Sequence, residues 1–303
     1  MLLRYQIRIV PALEHRYRVR CHLPEALPDQ CLRLPAWIPG SYLIRDFARH
    51  LIQLSARDAA GCALAVTKRD KSTWQVAHAG GPIDLVWDVY ARDGSVRGAC
   101  IDREWAFFNG TSVFLQPLDV PVTGIEVDIA APDPAWRLAT ALTPVAVDAQ
   151  GFGRYAAPDY ETLIDSPVLM GPLTQQSFDV AGVPHRLHVL GADAGADVAR
   201  FAADLARICA WQAALFGALP MDRYHFLLRL AGEGYGGLEH RLSSALLAQR
   251  KTLPLLGEAG VSDDYAELLG LCSHEYFHSW LVNRTRPAPL ASADLTAETY
   301  TRQ

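Results

Sequence analysis

Residues 262–280 read SDDYAELLGLCSHEYFHSW, and the spacing within them predicts an amphipathic helix. Leu268, Leu269, Cys272, Tyr276 and Trp280 supply its apolar positions. Ser262 can cap the amino end, Asp263 and Asp264 suit the positive end of the helix dipole, and Pro287 stops the helix. Such a helix carries His274 and His278 one turn apart on one face, so both imidazoles can reach one metal ion. Neutral imidazole is a good zinc ligand, and zinc with an open coordination position lowers the pKa of its water to about 7. Glu275, next in sequence to His274, is then the natural general base, able to take a proton from that water and pass it to a leaving amine. The five-residue pattern arises by chance in roughly one or two chains per hundred of this composition, so the surroundings decide its meaning.

About thirty-five residues upstream lies Gly234-Tyr235-Gly236-Gly237-Leu238-Glu239-His240. Its glycines permit close backbone approach, while the absence of a following Gly-Lys-Ser/Thr and of a helix start argues against a phosphate-binding loop. An extended edge strand fits better. Gly236 and Gly237 would present backbone groups to a peptide substrate, and Glu239 would meet its charged amino terminus. Before this strand, residues 224–231 (YHFLLRLA) read as another strand. Val198, Phe201, Leu205, Ile208, Gln212 and Leu215 mark an earlier helix, with Asp197 as N-cap and Gly217 and Pro220 beyond its end. The metal-binding helix thus follows a helix, a strand, a turn and a strand.

From residue 2 to about residue 192 the period is different. Runs such as IDLVWDVY (83–90) and GIEVDI (124–129) alternate, with prolines at 35, 39, 117, 121, 132 and 134 between runs, which predicts a β-sandwich. The expected organisation is an amino-terminal β-sandwich domain over 1–192 and a second domain over 193–303. With 303 residues, half of them hydrophobic, the chain has material for two cores. A net charge of −5 offers no basic field and argues against nucleic acid as a partner. No apolar run is long enough for a membrane span, and Arg4 and Arg8 interrupt the first apolar residues where a signal peptide would be uninterrupted, so a cytoplasmic protein is expected. The six cysteines form no CxxC pair and signal neither a disulfide framework nor a zinc knuckle.

Residues 236–240 (GGLEH) and 274–280 (HEYFHSW), continued by Arg284-Thr285-Arg286-Pro287, closely resemble the glycyl aminopeptidase family of zinc metallopeptidases. Residues 37–47 (WIPGSYLIRDF) and 107–112 (FFNGTS) are similar to segments of that family's β-domain, so the resemblance covers nearly the whole chain. It implies an amino-terminal β-sandwich followed by the first part of a thermolysin-like zinc metallopeptidase domain, usually with a PDZ domain beyond. It implies zinc held by His274 and His278, Glu275 as general base, and Glu239 as the group that recognises the amine. The implied activity is release of small amino-terminal residues, glycine and alanine, from peptides with a free amino terminus.

In this family the third zinc ligand is a Glu from the next helix, which the resemblance places past Gln303; Glu298 is the candidate within the chain. The chain is therefore expected to be a fragment, inactive by itself, with apolar residues among Tyr276, Phe277 and Trp280 facing solvent where a missing element should cover them. Two alternatives remain beside the aminopeptidase reading: an endopeptidase on the same scaffold, and a peptide-binding module without turnover.

Overall fold

A computed structural model describes residues 1–285 except 11–13, 39, 40 and 42. Two compact units are present, one built from Met1–Trp136 and Leu142–Val168, the other from Arg137–Ala141 and the described residues from Leu169 onward.

The first unit is organised by an eight-stranded sheet in the order Thr143–Val147, Gly153–Ala157, Gly124–Ile129, Leu2–Ile9, Arg16–Ala26, Gly81–Tyr90, Leu51–Asp58 and Ala63–Leu64. A smaller sheet pairs Gln116–Pro117, Cys31–Arg33, Thr73–Val76 and Val66–Lys68. Alternation in sequence becomes alternation in burial: Leu3, Tyr5 and Ile7, then Tyr17, Val19 and Cys21, then Ile83, Leu85, Trp87 and Val89 all point into the core. The large rings carry polar tips that also need partners there. Tyr5 donates to the Leu115 carbonyl at 2.7 Å and Trp87 Nε1 to the Val113 carbonyl at 2.9 Å, so the rings enter the core without orphaned donors. One residue breaks the alternation. Asp88 is only 2% exposed, because Arg18, directly across the ladder, grips it through Nε and Nη2 at 2.7 and 2.8 Å. A bidentate charge-assisted pair offsets the desolvation that would otherwise keep this carboxylate outside.

In the second unit a five-stranded sheet runs in the order Leu173–Val180, Val183–Leu190, Tyr224–Ala231, Ser243–Gln249 and Gly236–Glu239. The inner pairings are parallel and the outermost ones antiparallel. The first two strands precede the expected domain boundary at 192/193, yet Val183–Leu190 pairs with Tyr224–Ala231 from His185 opposite Tyr224 to Leu190 opposite Arg229. The Val198–Phe216 helix starts at Asp197, whose side chain accepts from Arg200 N at 2.9 Å, and ends at Gly217. Its buried stripe passes through Val198, Phe201, Leu205, Cys209 and Gln212; Leu215, expected within it, is 60% exposed. Val198, Phe201, Leu205 and Cys209 meet Tyr224, Phe226, Leu228, Leu246, Tyr265, Leu268 and Tyr276 in one core. At about 1.5–3 kcal/mol for each large apolar side chain buried, this core holds the 263–277 helix against the sheet.

A polar chain crosses the same sheet. Gln175 Nε2 lies 3.0 Å from His188 Nδ1, and His188 Nε2 lies 3.2 Å from His225 Nδ1, with the two rings stacked. The amide N–H donates, so His188 Nδ1 accepts and its Nε2 donates onward; both rings are neutral. Burial, and then the charge of Arg186, pulls the His188 pKa down to about 4, and burial with His188 beside it pulls His225 well below the usual histidine value. An unfolded chain protonates these rings near pH 6.5 and the folded one does not, so the unfolded state binds more protons. Stability therefore falls as pH drops from about 6.5 toward 4, by an amount on the order of 3 kcal/mol. Urea midpoints measured across that range check this: the slope should flatten in His188→Gln, and an unchanged slope there would assign the pH dependence elsewhere.

Candidate metal centre

The Asp263–Phe277 helix begins as its sequence suggests, with Ser262 Oγ accepting from Tyr265 N at 3.3 Å and two aspartates in the first turn. It stops before Trp280. Ser279 N and Trp280 N donate to the carbonyls of Tyr276 and Phe277 at 3.0 and 3.1 Å, three residues back, so the chain tightens out of the α-helix at His278. The expected exposure of Tyr276 is corrected by the structure. Tyr276 is fully buried, with ring contacts to Tyr224, Phe226 and His185, while Phe277 and Trp280 are half-buried and both pack against Phe216.

On the other face His274 is exposed, His278 is half-buried and Glu275 is 5% exposed. The two imidazoles converge, with 3.2 Å between His274 Nε2 and His278 Nε2. Two nitrogens about 2.0–2.1 Å from a tetrahedral zinc lie about 3.3 Å apart, so this pair already has the spacing of two corners of such a shell. Ligand atoms of Glu239, Glu275 and His278 lie within 4.8 Å of one another. Glu239 and Glu275 are both buried, and two carboxylates so close in a buried place favour a cation beside them. His274 lies outside that group and joins it through His278; two imidazoles, with carboxylates beside the second, are donor types that fit zinc.

Glu239 ends the Gly236–Glu239 strand, whose neighbour among the described residues is Ser243–Gln249, so this strand forms an edge of the sheet. Gly237 lies directly against Glu275: a Cβ at 237 would fall on the Glu275 carboxylate. The glycine therefore lets strand backbone and carboxylate pack in contact. Glu298 lies outside the described residues.

Two supporting residues escaped the sequence reading. Gln212 Nε2 donates to the Ser273 carbonyl at 2.9 Å and to Ser273 Oγ at 2.8 Å, holding the residue before His274. His185 Nδ1 lies 2.9 Å from the Val183 carbonyl, which can only accept, so Nε2 is the accepting nitrogen for the Tyr276 hydroxyl at 2.9 Å. The available signals were a glutamine on the apolar face of a helix and a histidine on the inward side of the alternating Val183–Leu190 strand. Among the described residues no helix is long and apolar enough to cross a membrane.

A β-rich unit followed by a helix that presents HExxH beside a sheet edge has the architecture of an HExxH metallopeptidase. The chain belongs to the M61 glycyl aminopeptidase family: residues 4–172 match the peptidase M61 N-terminal domain, and residues 267–303 match the M61 glycyl aminopeptidase model. It is 39% identical to an aminopeptidase N family protein from Idiomarina loihiensis, whose crystal structure it follows over 99% of its own length with a TM-score of 0.95. The chain spans about half of that relative, 51% of its length. An M1 zinc metallopeptidase from Deinococcus radiodurans shares the fold at 13% identity and a TM-score of 0.51, covering 92% of this chain and 63% of that one. No curated protein matches the chain.

Proposed function

We propose that the chain carries the metal-binding and amine-recognising parts of a zinc aminopeptidase that releases small amino-terminal residues, glycine and alanine, from peptides. One observation supports this above others: two imidazole nitrogens lie 3.2 Å apart, and one of the two rings, His278, gathers with two buried carboxylates next to a sheet edge. His274 and His278 would hold zinc, which when bound supplies a Lewis acid and makes water more acidic at neutral pH. Glu275 takes a proton from the water that attacks the first peptide carbonyl. As the C–N bond breaks, Glu275 returns that proton to the leaving nitrogen. The Gly236–Glu239 edge offers backbone groups to an extended peptide, and Glu239 binds its α-ammonium group, fixing cleavage at the first bond.

Free and amino-terminally acetylated glycyl peptides separate this reading from an endopeptidase. The free peptide should be cleaved at least about 100-fold faster, since acetylation removes the charge that Glu239 meets. Equal cleavage would remove Glu239 from amine recognition. A protein that holds no zinc after dialysis and cleaves neither peptide would instead be a binding module.

A further inference from the structure

In the first unit, Arg45, Arg49, His50, Asp93, Ala99 and Ser112 line a small pocket of about 20 Å³, room for one compact group. Arg45 belongs to the WIPGSYLIRDF segment, to which the peptidase chemistry gives no task. Its Nε donates to Ser41 Oγ at 3.1 Å, and Arg49 Nε donates to His50 Nε2 at 3.0 Å. Among the described residues neither guanidinium forms an ion pair with a carboxylate. Asp46, the acid next to Arg45, is taken by Lys71 at 2.9 Å. One carboxylate, Asp93, lines the pocket, and Gly98 is shaped to it: a Cβ at 98 would overlap the Asp93 side chain.

Positive charge is therefore in excess. Arg45 feels Arg97 and Arg49 against Asp93 alone, and burial together with these charges lowers its pKa; burial and then Arg49 lower that of His50. Arg45 is half-buried and Arg49 exposed at the pocket's edge; like charges so gathered repel, and an anion among them would turn that cost into charge-assisted hydrogen bonding. Because Arg49 donates to His50 Nε2, that nitrogen accepts and the ring is neutral, which leaves the two guanidiniums as the pocket's unmatched cations.

We propose that this pocket binds one compact monovalent anion, a carboxylate group or a halide, between Arg45 and Arg49. The site is independent of the peptidase reading. Trifluoroacetate is the probe: its 19F line is followed with the native protein at constant ionic strength, then in competition with chloride and with acetate. Saturable broadening is expected. Displacement by chloride alone identifies a halide site, and displacement by acetate identifies a carboxylate site. Arg45→Gln and Arg49→Gln should each weaken binding about tenfold or more, whereas Arg8→Gln, which removes a charge elsewhere on the same unit, should not. Asp93→Asn, which removes the opposing charge, should tighten binding several-fold, roughly three to ten times. Circular dichroism and Tm establish that each variant folds. If native protein gives only non-saturable broadening, or if the folded double variant Arg45→Gln/Arg49→Gln binds as the native protein does, the proposal is overturned.

Discussion

Glu275→Gln should lower kcat by roughly 100- to 10,000-fold on a glycyl substrate while zinc stays bound. The amide has nearly the shape of the carboxylate, so it can occupy the same buried place against Gly237 without moving the strand. His274 and His278 are untouched, and their nitrogens keep the 3.2 Å separation that suits the metal. What is lost is the ability to accept a proton from water and return it to the amine. The measurement is kcat together with zinc content after dialysis, in protein that is active before substitution. Near-normal turnover would remove Glu275 from the mechanism. Loss of zinc along with activity would make Glu275 a ligand, a role its position near Glu239 and His278 also permits.

Much of the second unit was legible because its signals are local. Asp197, Gly217 and Ser262 punctuate helices through their own backbone and side-chain bonding, and the Tyr224–Ala231 strand stands where its aromatic and leucine-rich run put it. What failed depended on contacts distant in sequence. Tyr276 could not be seen as buried from the helix alone, because Tyr224, Phe226 and His185 cover it from two other strands. Asp88 occupied an apparently outward position until Arg18 across the ladder provided its partner. The strands at 173–190 look like a continuation of the preceding β-domain, and only the pairing of Val183–Leu190 with Tyr224–Ala231 assigns them to the sheet of the second unit. In the candidate site, the HExxH spacing alone sets His274 and His278 one turn apart beside Glu275, whereas the approach of Glu239 to Glu275 and His278 required the hairpin that returns the Gly236–Glu239 strand beside Ser243–Gln249.

Gly237→Ala should damage the site more than its single methyl group suggests. The strand cannot easily withdraw, since Gly237 is paired with Leu246 and its neighbours Gly236 and Leu238 are paired with Leu247 and Ala245. The added methyl falls on the Glu275 carboxylate, so that side chain must leave its place or the helix must shift. Overpacking of this kind costs about 1–3 kcal/mol, and displacing a catalytic group by about 1 Å costs about 100-fold in rate. Gly270→Ala is the control on the same helix. Nothing lies within 4 Å of a Cβ built there, so alanine should leave activity unchanged and raise stability by about 1 kcal/mol through helix propensity. Urea denaturation and kcat on a glycyl peptide, measured for both variants, distinguish the two positions. If Gly237→Ala matches the unsubstituted protein in both, Glu275 is not held against the edge strand, and the contact that positions its carboxylate in the candidate site is not what the geometry describes.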